Sequence, residues 1–210
     1  MREHVISSAI TVSIVAFSAG TANAFGFSDV DVWVGSGSKQ AALVVDWFDS
    51  GDPVAFGYRY DGSQTAEDML FAIARANVGL FVRAEVFSFG TAVNGLGYDR
   101  DSDGFAIDSG LDFGDGVSFD SNLTFAVATD ADDSYIEGFQ NGAFWNFGVS
   151  DGTTDWAGSG VGISGSSLDS FAFNSLAFGS FPTFSRVDIP APGAATLVAI
   201  SGIAALRRRR

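Results

Sequence analysis

Residues 41–60 read AALVVDWFDSGDPVAFGYRY, which is the pattern of two strands joined by a short loop. Segments 41–48 and 54–60 are rich in β-branched and aromatic residues, which favour strands. The five residues between them, DSGDP, are of the types that favour turns. We therefore predict a β-hairpin across 41–60.

Similar short segments recur along the chain, separated by turns rich in Gly, Asp and Ser. Segment 30–35 alternates Val30, Val32 and Val34 with other residues, which is the period of a strand. Further strands are predicted at 80–89, 123–129, 143–149 and 170–178. Strands at this spacing are typical of a mainly β fold, a β-sandwich or jelly-roll-like single domain.

One helix interrupts this pattern, at residues 65–77. Thr65 is suited to cap its start, with Asp68 three residues later completing a variant of the capping box. Met69, Ile73 and Ala76 recur at helical spacing and define one apolar face. A single short helix packed on a β-sandwich fits these signals.

Composition limits the chemistry of the central segment, residues 25–188. It holds six basic residues against 24 acidic ones, a net charge of −18, which argues against nucleic acid as a partner. The chain has no cysteine, and its one histidine, His4, lies near the N-terminus. Thiol chemistry and histidine-based catalysis are therefore excluded from this segment, and we predict that it is not an enzyme and carries no organic cofactor.

The first 24 residues have the three parts of a secretory signal peptide. Arg2 supplies a positive start, residues 5–19 are apolar, and Ala22 and Ala24 fit the small-x-small cleavage pattern. We predict that signal peptidase cuts after Ala24 and that the chain is exported.

The C-terminal segment, residues 189–210, has three parts as well. A motif of Pro190, Ala191, Pro192 and Gly193 precedes an apolar run at 194–206 and a cluster of Arg207, Arg208, Arg209 and Arg210. As a helix, residues 193–206 would be about 21 Å long, which is short for a bilayer core of about 30 Å. The arginines are expected to stay on the cytoplasmic side.

This arrangement resembles the PEP-CTERM sorting signal of bacterial surface proteins, in a Pro-Ala-Pro variant. The resemblance implies transient anchoring in the inner membrane by a transmembrane helix. An exosortase-like enzyme would then process the chain, which would go to the cell surface, outer envelope or extracellular matrix. The alternative is an ordinary tail anchor that keeps the domain in the periplasm. The segment from Gly57 to Gly62 also resembles part of bacterial surface proteins of no known activity.

The sharpest motif of the central segment is a run of acidic residues at alternate positions. Asp99, Asp101 and Asp103 precede Gly104, with Asp108 nearby, and such oxygen ligands suit Ca²⁺. An EF-hand loop would need Glu at its twelfth position, where Gly110 stands. A calcium site and a solvated acidic turn both remain open. Two weaker groups are Asp130, Asp132 and Asp133 with Glu137, and Asp112, Asp115 and Asp120.

The predicted role is structural or adhesive, at the cell surface and with Ca²⁺ as a candidate stabiliser. The alternative is a surface module that binds a small ligand or an extracellular polysaccharide by stacking sugar rings on aromatic side chains, although such side chains more often belong to a core. The candidate aromatic residues are Trp33, Trp47, Tyr58, Tyr60, Trp145 and Trp156.

Overall fold

Strands dominate the computed structural model, which describes residues 25–48, 51–122, 124–139 and 141–189. Within these residues the strands are β1 (Val32–Gly35), β2 (Lys39–Asp46), β3 (Val54–Tyr60), β4 (Leu80–Phe87), β5 (Gly90–Tyr98), β6 (Val117–Ser118), β7 (Ser134–Glu137), β8 (Phe144–Ser150), β9 (Ala157–Gly158) and β10 (Phe173–Gly179). The α-helices are α1 (Ala66–Arg75) and the single turn α2 (Gly162–Gly165).

The larger sheet has six strands in the order β1-β3-β2-β10-β8-β9. Strands β2 and β3 pair antiparallel from Lys39 opposite Tyr60 to Val45 opposite Val54, which confirms the predicted hairpin. Strand β2 also pairs parallel with β10, and β3 pairs parallel with β1. The sheet is therefore mixed, and β2 lies at its centre.

The smaller sheet has four strands in the order β6-β4-β5-β7. Strands β4 and β5 form an antiparallel hairpin. Strand β7 pairs antiparallel with β5, and the last pair of that ladder joins Tyr98 to Ser134. The segment between these two residues is a long excursion, residues 99–133, which supplies β6 to the opposite edge of the sheet, beside β4, and otherwise lies outside the strands of this sheet.

The main core contains side chains from both sheets and from α1. Leu43 and Val45 of the larger sheet, Val82 and Leu96 of the smaller one, and Ile73 of the helix all belong to one buried cluster. Burial of such side chains contributes about 1.5–3 kcal/mol each. The mainly β fold with two sheets and one short helix is thereby confirmed.

Helix α1 begins as the sequence predicts. The Thr65 side chain accepts a hydrogen bond from the Asp68 amide at 3.2 Å, and the Asp68 carboxylate accepts one from the Thr65 amide at 2.9 Å. The helix ends at Arg75, two residues before the predicted end. Met69 and Ile73 of its apolar face are fully buried.

The outer faces of both sheets are covered too. On the larger sheet, Ala42 and Val44 of β2 pack with Phe25 and Val30 and with Ile189 at the end of the described chain. On the smaller sheet, the excursion 99–133 contributes a separate apolar cluster that includes Ile107, Phe113 and Ala126 and packs with Tyr135 of β7. Polar side chains on the outer faces are therefore not automatically exposed.

The predicted strand at 123–129 is wrong for the described residues 124–129. Within them only Ala128 makes a β-bridge, to Ile107. The Thr124 and Phe125 amides donate to the Glu137 carboxylate at 2.8 and 2.5 Å instead of to a neighbouring strand. A buried carboxylate thus replaces the strand partner that the apolar pattern had predicted.

Candidate metal site

The acidic motif lies directly after β5 and forms a tight loop around Asp99. The Asp99 carboxylate accepts hydrogen bonds from the Ser102 amide at 2.7 Å and from the Gly104 amide at 3.2 Å. The Asp101 carboxylate accepts one from the Asp103 amide at 3.2 Å. As a result, one carboxylate oxygen from each of the three aspartates lies within 4.8 Å of the others.

A second acidic loop faces this one, at residues 130–133. Repulsion from Asp101, together with partial desolvation and the charge of Asp130, raises the pKa of Asp103. A hydrogen bond with Asp130 raises the pKa of Asp132, and the charge of Asp101 adds to this effect. The same hydrogen bond lowers the pKa of Asp130. The two loops therefore interact electrostatically, and the main effect between them is repulsion.

Asp133 of the second loop is half-buried as a residue, but its carboxylate is shielded from solvent. Both of its carboxylate oxygens are shut off from solvent, and neither has a hydrogen-bond partner in the described part of the chain. Burial, followed by the charge of Asp99, raises the pKa of Asp133 to about 6. The Arg100 backbone amide offsets a part of this shift, but it does not reach hydrogen-bonding geometry.

Asp108 is placed differently from the other three predicted ligands. Its amide donates to the Val127 carbonyl at 3.1 Å, and its carboxylate accepts from the Val127 amide at 3.0 Å. The group of mutually close carboxylates contains Asp99, Asp101 and Asp103 but not Asp108. Asp108 serves to hold two parts of the excursion together.

Glu137 does not share a site with Asp130, Asp132 and Asp133 either. It is fully buried on β7 and forms an ion pair with Arg83 of β4, which is 1% exposed. The Tyr135 hydroxyl donates to the same carboxylate at 3.0 Å. This network was missed at the sequence level, where the available signal was a single charge between Val82 and Ala84.

The third acidic group, Asp112, Asp115 and Asp120, is used for separate local contacts. Asp112 accepts a hydrogen bond from the Gly114 amide at 2.8 Å. Asp115 pairs with Arg75 at 2.9 Å on the surface. Asp120 accepts hydrogen bonds from the amide and the side chain of Asn122 at 2.9 and 2.8 Å. These carboxylates stabilise turns and do not converge on one point.

An ion pair between a buried aspartate and a half-exposed arginine also holds the C-terminal part of the domain in place. Asp46 of β2 is fully buried, and the Arg186 guanidinium donates to it at 2.7 Å. Burial alone would raise the pKa of Asp46, but hydrogen bonds from the side chain and amide of Arg186 and from the Phe48 amide outweigh this effect and lower it. This pair holds the segment 180–189 across the outer face of the larger sheet.

The aromatic candidates for sugar stacking do not share one exposed face. Trp47, Tyr60 and Trp145 are buried in the main core. Trp33 and Trp156 lie half-buried with the second cluster. Their indole N–H groups donate to the Val30 and Val187 carbonyls at 3.0 and 2.7 Å. Tyr58 is half-buried and stacked on Tyr60.

Comparison with known proteins gives no match: no family model, no curated protein and no solved structure is similar to this chain. The acidic loops must therefore be interpreted from their own chemistry. A surface depression of about 340 Å³ lies beside them and is lined in part by Asp99, Ser102 and Asp103. Carboxylate oxygens are the type of ligand that a hard cation such as Ca²⁺ prefers.

The predicted processing signals lie outside the described residues. The predicted signal peptide with Ala22 and Ala24 precedes Phe25, and the predicted sorting motif from Pro190 to Arg210 follows Ile189. Ile189 itself, at the predicted border of the sorting segment, is buried against the domain. Among the described helices, none has the length and apolar character needed to cross a bilayer.

Proposed function

We propose that this chain is an exported protein of the bacterial cell surface or extracellular matrix, with a structural or adhesive role and no enzymatic activity. Its N-terminus would be removed by signal peptidase. Its C-terminus would anchor the chain briefly in the inner membrane and would be processed by an exosortase-like enzyme near Pro190 and Pro192.

One structural observation supports this proposal: the two ends of the folded domain lie side by side. The Phe25 amide donates to the Asp188 carbonyl at 2.8 Å. Phe25 is the first residue after the expected signal cleavage, and Asp188 lies two residues before the Pro190 motif. Processing at both ends would thus remove only segments outside the domain, and the remaining β-sandwich would keep its core.

The composition of the domain supports a non-enzymatic role. Residues 25–188 contain neither histidine nor cysteine, so the commonest general bases and nucleophile partners are missing. The acidic excess favours solubility through mutual repulsion and disfavours binding to anionic polymers and lipids. Such a domain suits display on a crowded surface.

The test is the intact mass and the location of the protein recovered from cells that produce it. We expect a mass that lacks residues 1–24 and the hydrophobic C-terminal helix, in the matrix or the medium. A mass that retains the four terminal arginines, found in the inner membrane, would contradict the proposal and would identify a tail-anchored periplasmic domain.

A pair of variants makes this test specific. The double substitution Pro190→Ala and Pro192→Ala should leave the C-terminal segment attached and the chain in the membrane. Pro53→Ala, which alters a proline of the β2–β3 loop, is the matched control and should be processed normally. Equal processing of both variants would show that the Pro motif is not the recognition signal.

A further inference from the structure

The end of the β5–β7 ladder brings two aspartates into opposition. The pairing runs in strict register from Gly95 opposite Glu137 to Tyr98 opposite Ser134. The next positions in this register are Asp99 and Asp133. Like charges that face each other across two antiparallel strands destabilise the pairing. A positive charge close to Asp99 and Asp133 would offset this repulsion.

The burial of Asp133 makes the need for a cation stronger. Buried carboxylates in proteins are paired or bind metals, because an unpaired buried charge is very costly. Within the described residues, neither oxygen of the Asp133 carboxylate has a hydrogen-bond partner. Arg100, the basic residue next to Asp99, donates from its Nη2 to the Ser134 hydroxyl at 3.2 Å and lies over the Tyr98 ring. The Arg100 guanidinium thus contacts the Ser134 hydroxyl and the Tyr98 ring.

We propose that the loops 99–104 and 130–133 together bind one Ca²⁺ ion, with Asp99, Asp101 and Asp103 supplying ligands from one side and Asp133 from the other. The cluster of Asp99, Asp101 and Asp103, in which only Asp99 is buried, would alone be compatible with an acidic turn. The orphaned buried carboxylate of Asp133, an independent feature on a separate loop, is what points to a ligand. Asp133, like Asp108, lies outside the group of mutually close carboxylates, but the β5–β7 register sets it opposite Asp99, whereas Asp108 is held at Val127.

The ligand chemistry selects calcium among common cations. The site offers only oxygen donors, and Ca²⁺ accepts six to eight of them in flexible geometry. Mg²⁺ requires near-ideal octahedral geometry and retains its waters, which fits poorly with several carboxylates on two loops. Zinc and other transition metals prefer the nitrogen and sulfur ligands that this domain lacks.

The position of the ion would give it a structural effect. Asp99 is the first residue of the excursion 99–133 and Asp133 is the last. An ion bound by both would therefore link the two ends of the excursion. An ion that binds the folded loops and not the unfolded chain would stabilise the folded state by its binding free energy. The excursion carries the apolar cluster that covers the outer face of the smaller sheet. Linking the two ends of the excursion would therefore stabilise the packing of this cluster on the sheet. This proposal deepens the structural role above, but the site itself does not depend on where the protein is located.

The test is calcium binding and thermal unfolding of the full-length chain, purified in mild detergent, in EDTA, Ca²⁺ or Mg²⁺. We expect a dissociation constant on the order of 0.1–1 mM, as in extracellular calcium modules. At 10 mM Ca²⁺ the ratio of folded to unfolded protein should then rise roughly 10- to 100-fold. Mg²⁺ at the same concentration should have a clearly smaller effect.

Three variants distinguish this site from general binding of cations to an acidic protein. Asp133→Asn and the exposed Asp101→Asn should each weaken Ca²⁺ binding by about tenfold or more. Asp112→Asn alters an exposed aspartate that forms a similar turn in the same excursion, and it should bind Ca²⁺ like the unmodified chain. In EDTA, Asp133→Asn should melt no lower than the unmodified chain, because it removes an unpaired buried charge.

Several results would overturn the proposal. They are the absence of Ca²⁺ binding up to 10 mM, unchanged affinity in Asp133→Asn, or equal losses in Asp112→Asn and Asp101→Asn. A lower melting temperature of Asp133→Asn in EDTA would also overturn it, because the carboxylate would then be satisfied without a metal. None of these results bears on export or sorting, which the mass measurement tests separately.

Discussion

Replacing Glu137 by Gln should be among the most damaging single changes in this domain. Glu137 is fully buried and pairs with Arg83. One of its oxygens also accepts from the Tyr135 hydroxyl at 3.0 Å, and the other accepts from the Thr124 and Phe125 amides at 2.8 and 2.5 Å. Each carboxylate oxygen thus faces only donors, so the NH₂ group of a glutamine would meet a donor in either orientation.

The size of the expected destabilisation follows from the positive charge of Arg83, which would stay buried without its partner. Without Glu137, the buried Arg83 would keep the Asp120 carbonyl at 2.8 Å and the half-exposed Asp120 carboxylate at 3.9 Å. Removing one partner of a buried ion pair typically costs about 3–5 kcal/mol of unfolding free energy. For a domain of this size, that corresponds to a fall in melting temperature of roughly 6–20 °C.

Urea unfolding followed by tryptophan fluorescence measures this loss. The midpoint should fall while the slope of the free energy against urea stays constant, since the same surface is exposed. Glu85→Gln is the matched control, because Glu85 lies on β4 but is only half-buried, and its loss should stay within about 0.5 kcal/mol. The double variant Arg83→Met with Glu137→Met should recover only a part of the stability: it leaves no unpaired buried charge, but the Thr124 and Phe125 amides lose their acceptor. A loss below about 1 kcal/mol in Glu137→Gln would refute this reasoning.

Three further changes test other parts of the fold. Asp46→Asn should cost about 1–3 kcal/mol at pH 7. Because its pKa is lowered in the folded state, Asp46 contributes stability above its ordinary pKa, so the difference from the unmodified chain should shrink as the pH falls below about 4 in a pH series of urea midpoints. Thr65→Ala removes the helix cap and should cost about 1 kcal/mol, seen as a melting temperature lower by roughly 2–4 °C; an unchanged value would contradict the cap. Gly57→Ala would place a Cβ atom 2.3 Å from the Trp33 ring and should cost about 1–3 kcal/mol, whereas Gly160→Ala, whose Cβ would meet open space, should cost less in the same thermal scan.

Local signals in the sequence were sufficient for much of the fold. The capping box at Thr65 and the DSGDP turn act over a few residues, and the helix and hairpin that they predict are present. Strands β5, β6, β7 and β9 were not predicted. Strand β5 contains three glycines and an asparagine, residue types that are depleted in strands. Two residues in β6 and four in β7 are too short to show a period. The predicted strand near Phe125 failed because Glu137, a residue far along the chain, takes the amides that the strand would have used.

The acidic loops show the same contrast: carboxylates close together in sequence were predicted to cluster, and those brought close by distant strand pairing were not. Asp99, Asp101 and Asp103 were recognised because their spacing alone places three carboxylates in one turn. Asp133 was grouped with its sequence neighbours, since only the β5–β7 register sets it opposite Asp99. Asp108 is closer to Asp103 in sequence, yet it is held elsewhere by Val127. Proximity along the chain was therefore a poor guide to which carboxylates share a site.

Both sheets are covered on both faces, and this has a consequence for the charges of the domain. Alternation along a strand normally assigns polar residues to solvent, but Asp46, Arg83 and Glu137 are all buried under the outer covers. Each of these charges has an oppositely charged partner, and the two pairs involve two of the six basic residues in segment 25–188. Lys39 and Arg75 pair with Asp169 and Asp115 at the surface, and within the described residues no hydrogen-bond partner reaches the Asp133 carboxylate. A divalent cation at the proposed site would supply the positive charge that this carboxylate lacks.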